Sequence, residues 1–218
     1  MWLNTHLDRK VADFKLEMDL HDKGYRAVAG LDEAGRGSLF GPVVAAAVVF
    51  PEKYIRTGFP AWVSDITDSK LIAPRKRERL AKAILSGARS VGVGIATNRE
   101  IDQKNIHWAS MEAMRRAVVQ LSVCPDFLLV DGFQLDDVSI HQMGLRHGDR
   151  RSISVAAASI LAKVLRDRMM INLDKVYEGY QLPQHKGYGT QGHFQVLEEK
   201  GPTIFHRFSF RPLNRDKI

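Results

Sequence analysis

The segment Val43-Val44-Ala45-Ala46-Ala47-Val48-Val49-Phe50 is almost unbroken in apolar residues. It follows Gly41-Pro42, is rich in valine and is too short to span a bilayer. It therefore reads as a strand covered on both faces. Such a strand needs helices above and below it, which confines the chain to layered α/β architectures. The remaining pattern supplies those helices. Leu7, Val11, Phe14 and Met18 are spaced for one face of a helix over 7–22, ended by Lys23-Gly24. Pro74 suits the first turn of a basic helix over 75–85. Met111, Met114, Val118 and Leu121 make a core stripe in a helix over 99–122. The longest helical pattern runs over 153–176, and a last helix over 193–200 is broken by Gly201-Pro202. Strands are expected at 26–32, at 43–50, at 90–97, where Gly92 and Gly94 permit close approach, and at 127–130. Residues 51–70, 133–150 and 180–192 read as loops. The order points to a mixed sheet flanked by helices, without internal repeats or low-complexity segments.

At 218 residues with 44% hydrophobic content, the chain suffices for one domain with a real core and a small appendage. The net charge of +7 favours a polyanionic partner. A single cysteine, Cys124, excludes a disulfide framework or a cysteine zinc site and fits a reducing compartment. The N-terminus has no basic start followed by an apolar run, so a cytoplasmic protein is expected.

The chemistry is concentrated in Gly30-Leu31-Asp32-Glu33-Ala34-Gly35-Arg36-Gly37. Carboxylates at a strand end hold hard cations, glycines admit close backbone approach, and an arginine meets a phosphate through two N–H bonds. Metal, backbone and phosphate in one turn suggest phosphodiester chemistry. Asp131 ends another apolar strand and precedes Gly132; if the two strands are neighbours, the carboxylates meet and two divalent ions about 3.5–4 Å apart could bridge a scissile phosphate. Adjacent strand residues point to opposite faces, so Asp32 and Glu33 share one site only if the strand ends or bulges there. Asp149 lies just before the long helix, whose positive end favours a carboxylate. Asp167 lies within that helix and reads as an ion-pair partner of Lys163 or Arg166.

These motifs, together with Gly41-Pro42-Val43-Val44-Ala45-Ala46, Asp68-Ser69-Lys70, Val130-Asp131-Gly132, Ala156 to Asp167, His185-Lys186-Gly187-Tyr188-Gly189-Thr190, Gly201-Pro202 and His206-Arg207, resemble the bacterial ribonuclease HII family over nearly the whole chain. The resemblance implies a ribonuclease H-like fold, with a catalytic unit over 1–178 and a helical, substrate-contacting extension over 179–218. It implies four metal-binding, catalytic carboxylates, Asp32, Glu33, Asp131 and Asp149, holding Mg²⁺ or Mn²⁺, as two ions. The implied activity is hydrolysis of the RNA strand of RNA–DNA hybrids and nicking on the 5′ side of ribonucleotides embedded in duplex DNA, leaving 3′-hydroxyl and 5′-phosphate ends. The turn Gly35-Arg36-Gly37 is expected at the ribose 2′-hydroxyl, which distinguishes RNA from DNA, and Tyr188 near the next sugar. Ser69, Lys70, Lys163 and Lys186 are candidate phosphate contacts. A monomer without membrane association is expected. Ser38-Leu39-Phe40 departs from the family pattern, which has a proline and a small residue there.

Two other readings stand beside this one. A nuclease of the same fold, such as a junction resolvase, would cut substrates without ribonucleotides. A binding module would bind without cleaving, but it would gain nothing from gathering acidic groups where a polyanion docks. The eight histidines assemble no metal site by spacing.

Overall fold

A computed structural model describes residues 12–213. A five-stranded sheet in the order β3-β2-β1-β4-β5 forms the middle layer. Its strands are β1 (Val28–Ala34), β2 (Val43–Val49), β3 (Ser90–Ala96), β4 (Phe127–Asp131) and β5 (His141–Leu145). β1, β2 and β3 form an antiparallel meander. β4 joins the other side of β1 in parallel, and β5 pairs parallel to β4.

As its composition requires, every residue of β2 is buried. Ala46 and Val48 face a core built with α3 (Pro74–Gly87) and α6 (Ile153–Asp174). Val43, Ala45, Ala47 and Val49 face α5 (Ile106–Val119). Glycine sets how closely these layers approach. A Cβ on Gly92 or Gly94 would stand 2.0 or 1.9 Å from the Ala117 or Ala113 carbonyl of α5. A Cβ on Gly30 would stand 2.2 Å from the Ser154 backbone. β1 and the start of α6 thus touch main chain to main chain, two residues before Asp32.

Several boundaries differ from expectation. The start of the first helix lies outside the described residues; α1 covers Lys15–Asp22 and buries Glu17, Leu20 and His21, whereas Met18 is exposed. Glu17 is drawn inward because its Oε1 accepts from the Ser152 hydroxyl at 2.6 Å and the Ser154 amide at 2.9 Å, at the first turn of α6. The 51–70 segment contains α2 (Glu52–Arg56) and a 3-10 turn, Ala61–Asp65. The helix expected over 99–122 is two, α4 (Asn98–Lys104) and α5, broken where Asn105 takes φ +104° and caps the Trp108 amide. β5 lies in a segment expected to be irregular. The 180–192 loop holds one short helix, α7 (Leu182–His185), before α8 (Gln191–Lys200). Among the described residues no helix is long and apolar enough to cross a membrane.

Candidate active site

The register of the sheet brings the acidic residues together. β1 and β4 pair through Leu31 and Val130, so Asp32 and Asp131 are the next residues on adjacent strands. The 3-10 turn Gly148–Arg150 follows β5 and packs against β4's end: the Gly148 amide donates to Asp131 Oδ1 at 2.6 Å, which brings Asp149 alongside. A cavity of about 490 Å³ is lined by Asp32, Glu33, Asp131 and Asp149, with Ala34, Gly35, Arg36, Gly37, Ser69, Lys70, Ser159, Lys163 and Tyr188.

β1 neither ends nor bulges at Glu33. It stays paired with β2 through Ala34, yet both of its carboxylates line the same cavity. The parallel partner supplies the reason. β4 stops at Asp131, so β1 overhangs it and presents an open edge to the cavity.

Asp32, Glu33 and Asp149 sit in a setting that disfavours their charge. Burial, then repulsion from Glu33 and Asp131, pushes the Asp32 carboxyl well above its ordinary range. Burial also raises Glu33, against the Arg36 guanidinium 3.4 Å from its Oε1. Asp149 is raised by burial and by Asp68 and Asp131. Glu33 Oε2 is buried with no hydrogen-bond partner. Hard oxygen ligands that repel one another, one holding an unused lone-pair oxygen, fit a divalent cation of the Mg²⁺ or Mn²⁺ type. Among the described residues, no three such side chains are already closed around a single ion position.

Around this acidic floor stand a backbone turn and several cations. Gly35 takes φ +98°, and a Cβ there would meet Arg166 Nε at 2.0 Å, so conformation and space both require glycine. Arg166 is fully buried and spends its guanidinium on the carbonyls of Pro42, Lys186 and Phe40. Arg207, equally buried, donates to the carbonyls of Gly41 and Arg36. Burial, with Arg166 nearby, lowers its pKa to about 9. These two arginines clamp the segment after the turn from below. The Tyr188 ring lies 5.4 Å from Lys163 Nζ and 5.4 Å from the Arg166 guanidinium. Ser69 bonds Ser159 at 3.0 Å, and Ser159 in turn bonds Asp32.

Asp167, expected as an ion-pair partner, and Lys186, expected as a phosphate contact, stand apart from the cavity. Asp167 pairs with Lys163 at 2.7 Å and Arg77 at 3.5 Å. Lys163 was an expected partner, but Arg166 is engaged with carbonyls and Arg77 takes its place. Lys186 gives its Nζ to the Pro183 carbonyl at 2.8 Å and does not line the cavity. Sequence reasoning missed Asp68 as a site residue in its own right. Burial pushes its carboxyl up, but the Lys70 amide and Arg150, 3.0 Å away, outweigh this and hold it below the ordinary value. It ties the Ser69-Lys70 wall to the turn carrying Asp149. Its place in the Asp68-Ser69-Lys70 motif was the available signal. Ser159, Arg166 and Arg207 act through contacts that no local pattern announces.

Both the sequence and the fold have known relatives. A family profile described as Ribonuclease HII matches residues 29–212. The chain is 47% identical over 197 residues to a ribonuclease HII of Dehalococcoides mccartyi, covering 90% of this chain and 92% of that protein. It is 46% identical over 189 residues to a ribonuclease HII of Geobacter sulfurreducens, covering 87% and 84%. Among solved structures, the ribonuclease H2 from Pyrococcus horikoshii OT3 superposes with a TM-score of 0.70 at 26% identity, covering 86% of this chain and 95% of that one.

Proposed function

The chain belongs to the ribonuclease HII family, metal-dependent endoribonucleases of RNA–DNA hybrids, and on that premise we propose that it also nicks duplex DNA on the 5′ side of single embedded ribonucleotides, by two-metal-ion catalysis. The observation that carries the reading is the meeting, in one cavity, of four carboxylates with a glycine-lined backbone turn and Tyr188. Asp32, Glu33, Asp131 and Asp149 would hold the ions. When bound, Mg²⁺ or Mn²⁺ supplies an activated water and neutralises charge developing at the scissile phosphate.

The protein's own groups do the selecting. Gly35 and Gly37 leave main chain bare at the cavity wall, where a 2′-hydroxyl can reach it; a deoxyribose would leave that contact unmade. Arg166 and Arg207 hold the turn from beneath, so the wall is set before substrate arrives. The Tyr188 ring supplies a flat apolar surface for the neighbouring sugar. Lys163 and Lys70 stand on the cavity wall for phosphates, with Ser69 beside them, whereas Lys186 would reach one only by releasing Pro183. α7 and α8, beyond residue 178, belong in this reading to a substrate-contacting extension, and the enzyme works as a monomer.

The test is a DNA duplex holding one ribonucleotide, incubated with and without Mg²⁺. Cleavage that requires the metal and leaves a 3′-hydroxyl on the 5′ fragment is expected. Full activity in excess chelator, 2′,3′-cyclic phosphate ends, or equal cutting of an all-DNA duplex would each refute it.

A further inference from the structure

Three buried imidazoles lie behind Tyr188. His185 and His193 stack, with ring centroids 4.1 Å apart and planes 12° from parallel. His193 Nδ1 lies 3.0 Å from the Tyr188 carbonyl. His193 Nε2 lies 3.2 Å from His206 Nε2. His206 Nδ1 receives the Thr203 amide at 2.8 Å. His185 Nδ1 receives the Gly187 amide at 3.1 Å, and its Nε2 lies 2.8 Å from the Tyr180 carbonyl.

These partners fix every proton. A carbonyl only accepts and an amide N–H only donates. His193 Nδ1 therefore carries a proton and His206 Nδ1 does not. Neutral His206 then holds its proton on Nε2 and donates it to the bare Nε2 of His193. By the same rule His185 is protonated on Nε2. All six ring nitrogens are used, and each ring is neutral. A further proton on His193 would set two Nε2–H groups against each other across 3.2 Å, and one on His206 would set its Nδ1–H against the Thr203 amide across 2.8 Å. The surroundings agree: burial, then the neighbouring imidazoles, lower His193 and His206 to about 4. The charged groups acting on the trio are Asp174 and Lys186, both on His185. Tyr180 packs against His206, and the buried Arg207 guanidinium follows in sequence.

We propose that His193 and His206 are positioning residues for Tyr188: a relay of neutral imidazoles ties the Tyr188 carbonyl to the Thr203 amide and so sets where the Tyr188 ring stands in the cavity. This rests on the reading of Tyr188 as a sugar contact. The remaining ties on the Tyr188 main chain are local or edge contacts, namely its amide to His185, its carbonyl from the Thr190 amide, and a bridge to Ser38. The relay couples it instead to the C-terminal loop, whose Arg207 also holds the Arg36 carbonyl. The turn and the ring, the two expected contacts to sugar, are thereby referred to one segment.

The histidine ¹⁵N shifts of the wild-type protein read the relay directly. At pH 7, His193 is expected as the Nδ1–H tautomer, and His185 and His206 as Nε2–H; an imidazolium, or His193 protonated on Nε2, would overturn the proposal. Two variants test the consequence. His193→Asn keeps an N–H near the Nδ1 position but drops the tie to His206, whereas His193→Gln reaches toward His206 and abandons Tyr188, so each breaks the relay. His193→Gln and His193→Asn are each expected to lose about five- to tenfold in kcat/KM on a single-ribonucleotide duplex, the size of one hydrogen bond, with all-DNA duplex binding unchanged. A Tyr188→Ala enzyme that nicks normally would refute the sugar-contact reading and this proposal with it. A crippled Tyr188→Ala enzyme beside His193→Asn and His193→Gln enzymes of wild-type activity would overturn this proposal alone.

Discussion

At the scale of single residues, the cavity floor gathers four carboxylates, of which the fold charges Asp32, Glu33 and Asp149 only at a cost. Asp131→Asn keeps shape and removes one of the carboxylates proposed to hold the ions. Turnover at moderate Mg²⁺ is expected to fall at least about a hundredfold, since losses one shell further out already reach 10–100-fold, with circular dichroism unchanged. Asp32 leads to an expectation of opposite sign for stability. Its carboxyl is raised in the fold, so the native state holds more protons than the unfolded chain. That stability is present at acid pH and lost as pH rises through the folded value. Metal-free Asp32→Asn should therefore melt higher than wild type at pH 7, with the gap closing toward pH 4; a lower melting temperature at pH 7 would contradict the electrostatic account. Asp149 and Asp167 separate on the same measurements. Asp149→Asn should lower turnover without loss of stability. Asp167→Asn should cost stability through its pairs with Lys163 and Arg77 and leave turnover per folded molecule largely intact. The acidic floor was legible because its residues abut glycines at the ends of apolar runs. Asp68, Ser159 and the arginine clamp stood inside recognisable motifs, but their contacts were not legible, because their partners are distant in sequence: Arg166 meets Phe40, and Arg207 meets Arg36.

At the scale of elements, the apolar strands of the sheet declared themselves and the edge strand did not. β2 and β4 are apolar runs. β5 is His141-Gln142-Met143-Gly144-Leu145, with only Leu145 buried; nothing in its own composition favours a strand, and it forms because β4 offers an unpaired edge. The break at Asn105 was hidden for a related reason: the apolar spacing continues across it, and a left-handed residue shows in the backbone but not in the period. Gly92 and Gly94 were read correctly as sites of close approach. Gly94→Ala would drive a methyl into the Ala113 carbonyl and should cost about 1–3 kcal/mol or more. Gly192, inside α8 with open space around it, gives the control: Gly192→Ala should be neutral or stabilising by up to about 1 kcal/mol. Thermal melts of both variants decide the matter, and equal melting temperatures would show that α5 can shift on the sheet. Glu17 offers a second check on element packing. Glu17→Gln can still accept from Ser152 and Ser154, and should keep most of the stability that Glu17→Ala loses.

At the scale of the whole molecule, acid stability and assembly follow from where groups are buried. His193 and His206 fall from the ordinary imidazole value to about 4 in the fold. Here the unfolded chain binds the extra protons, so stability is present above about 6.5 and lost as pH drops from there toward 4. The melting temperature should decline across that window, and His193→Asn should flatten the decline; an unchanged slope would mean that other groups govern acid unfolding. The net charge of +7 surrounds an acidic cavity, which suits a protein held on a polyanion by its periphery while cations occupy its centre. Duplex binding is accordingly expected to weaken steeply between about 50 and 200 mM salt, as a titration by fluorescence anisotropy would show. The parallel pairing of β1 with β4 has one more consequence, for the protein's birth. A ribonuclease is made on a ribosome, beside the RNA that encodes it. The meander of β1, β2 and β3 emerges early and carries Asp32 and Glu33. Asp131 and Asp149 arrive only after α3, α4 and α5 have been translated, and they must then cross over to close against β1. A nascent chain therefore holds two of the four cavity carboxylates, and the set is completed only when most of the polypeptide has left the tunnel.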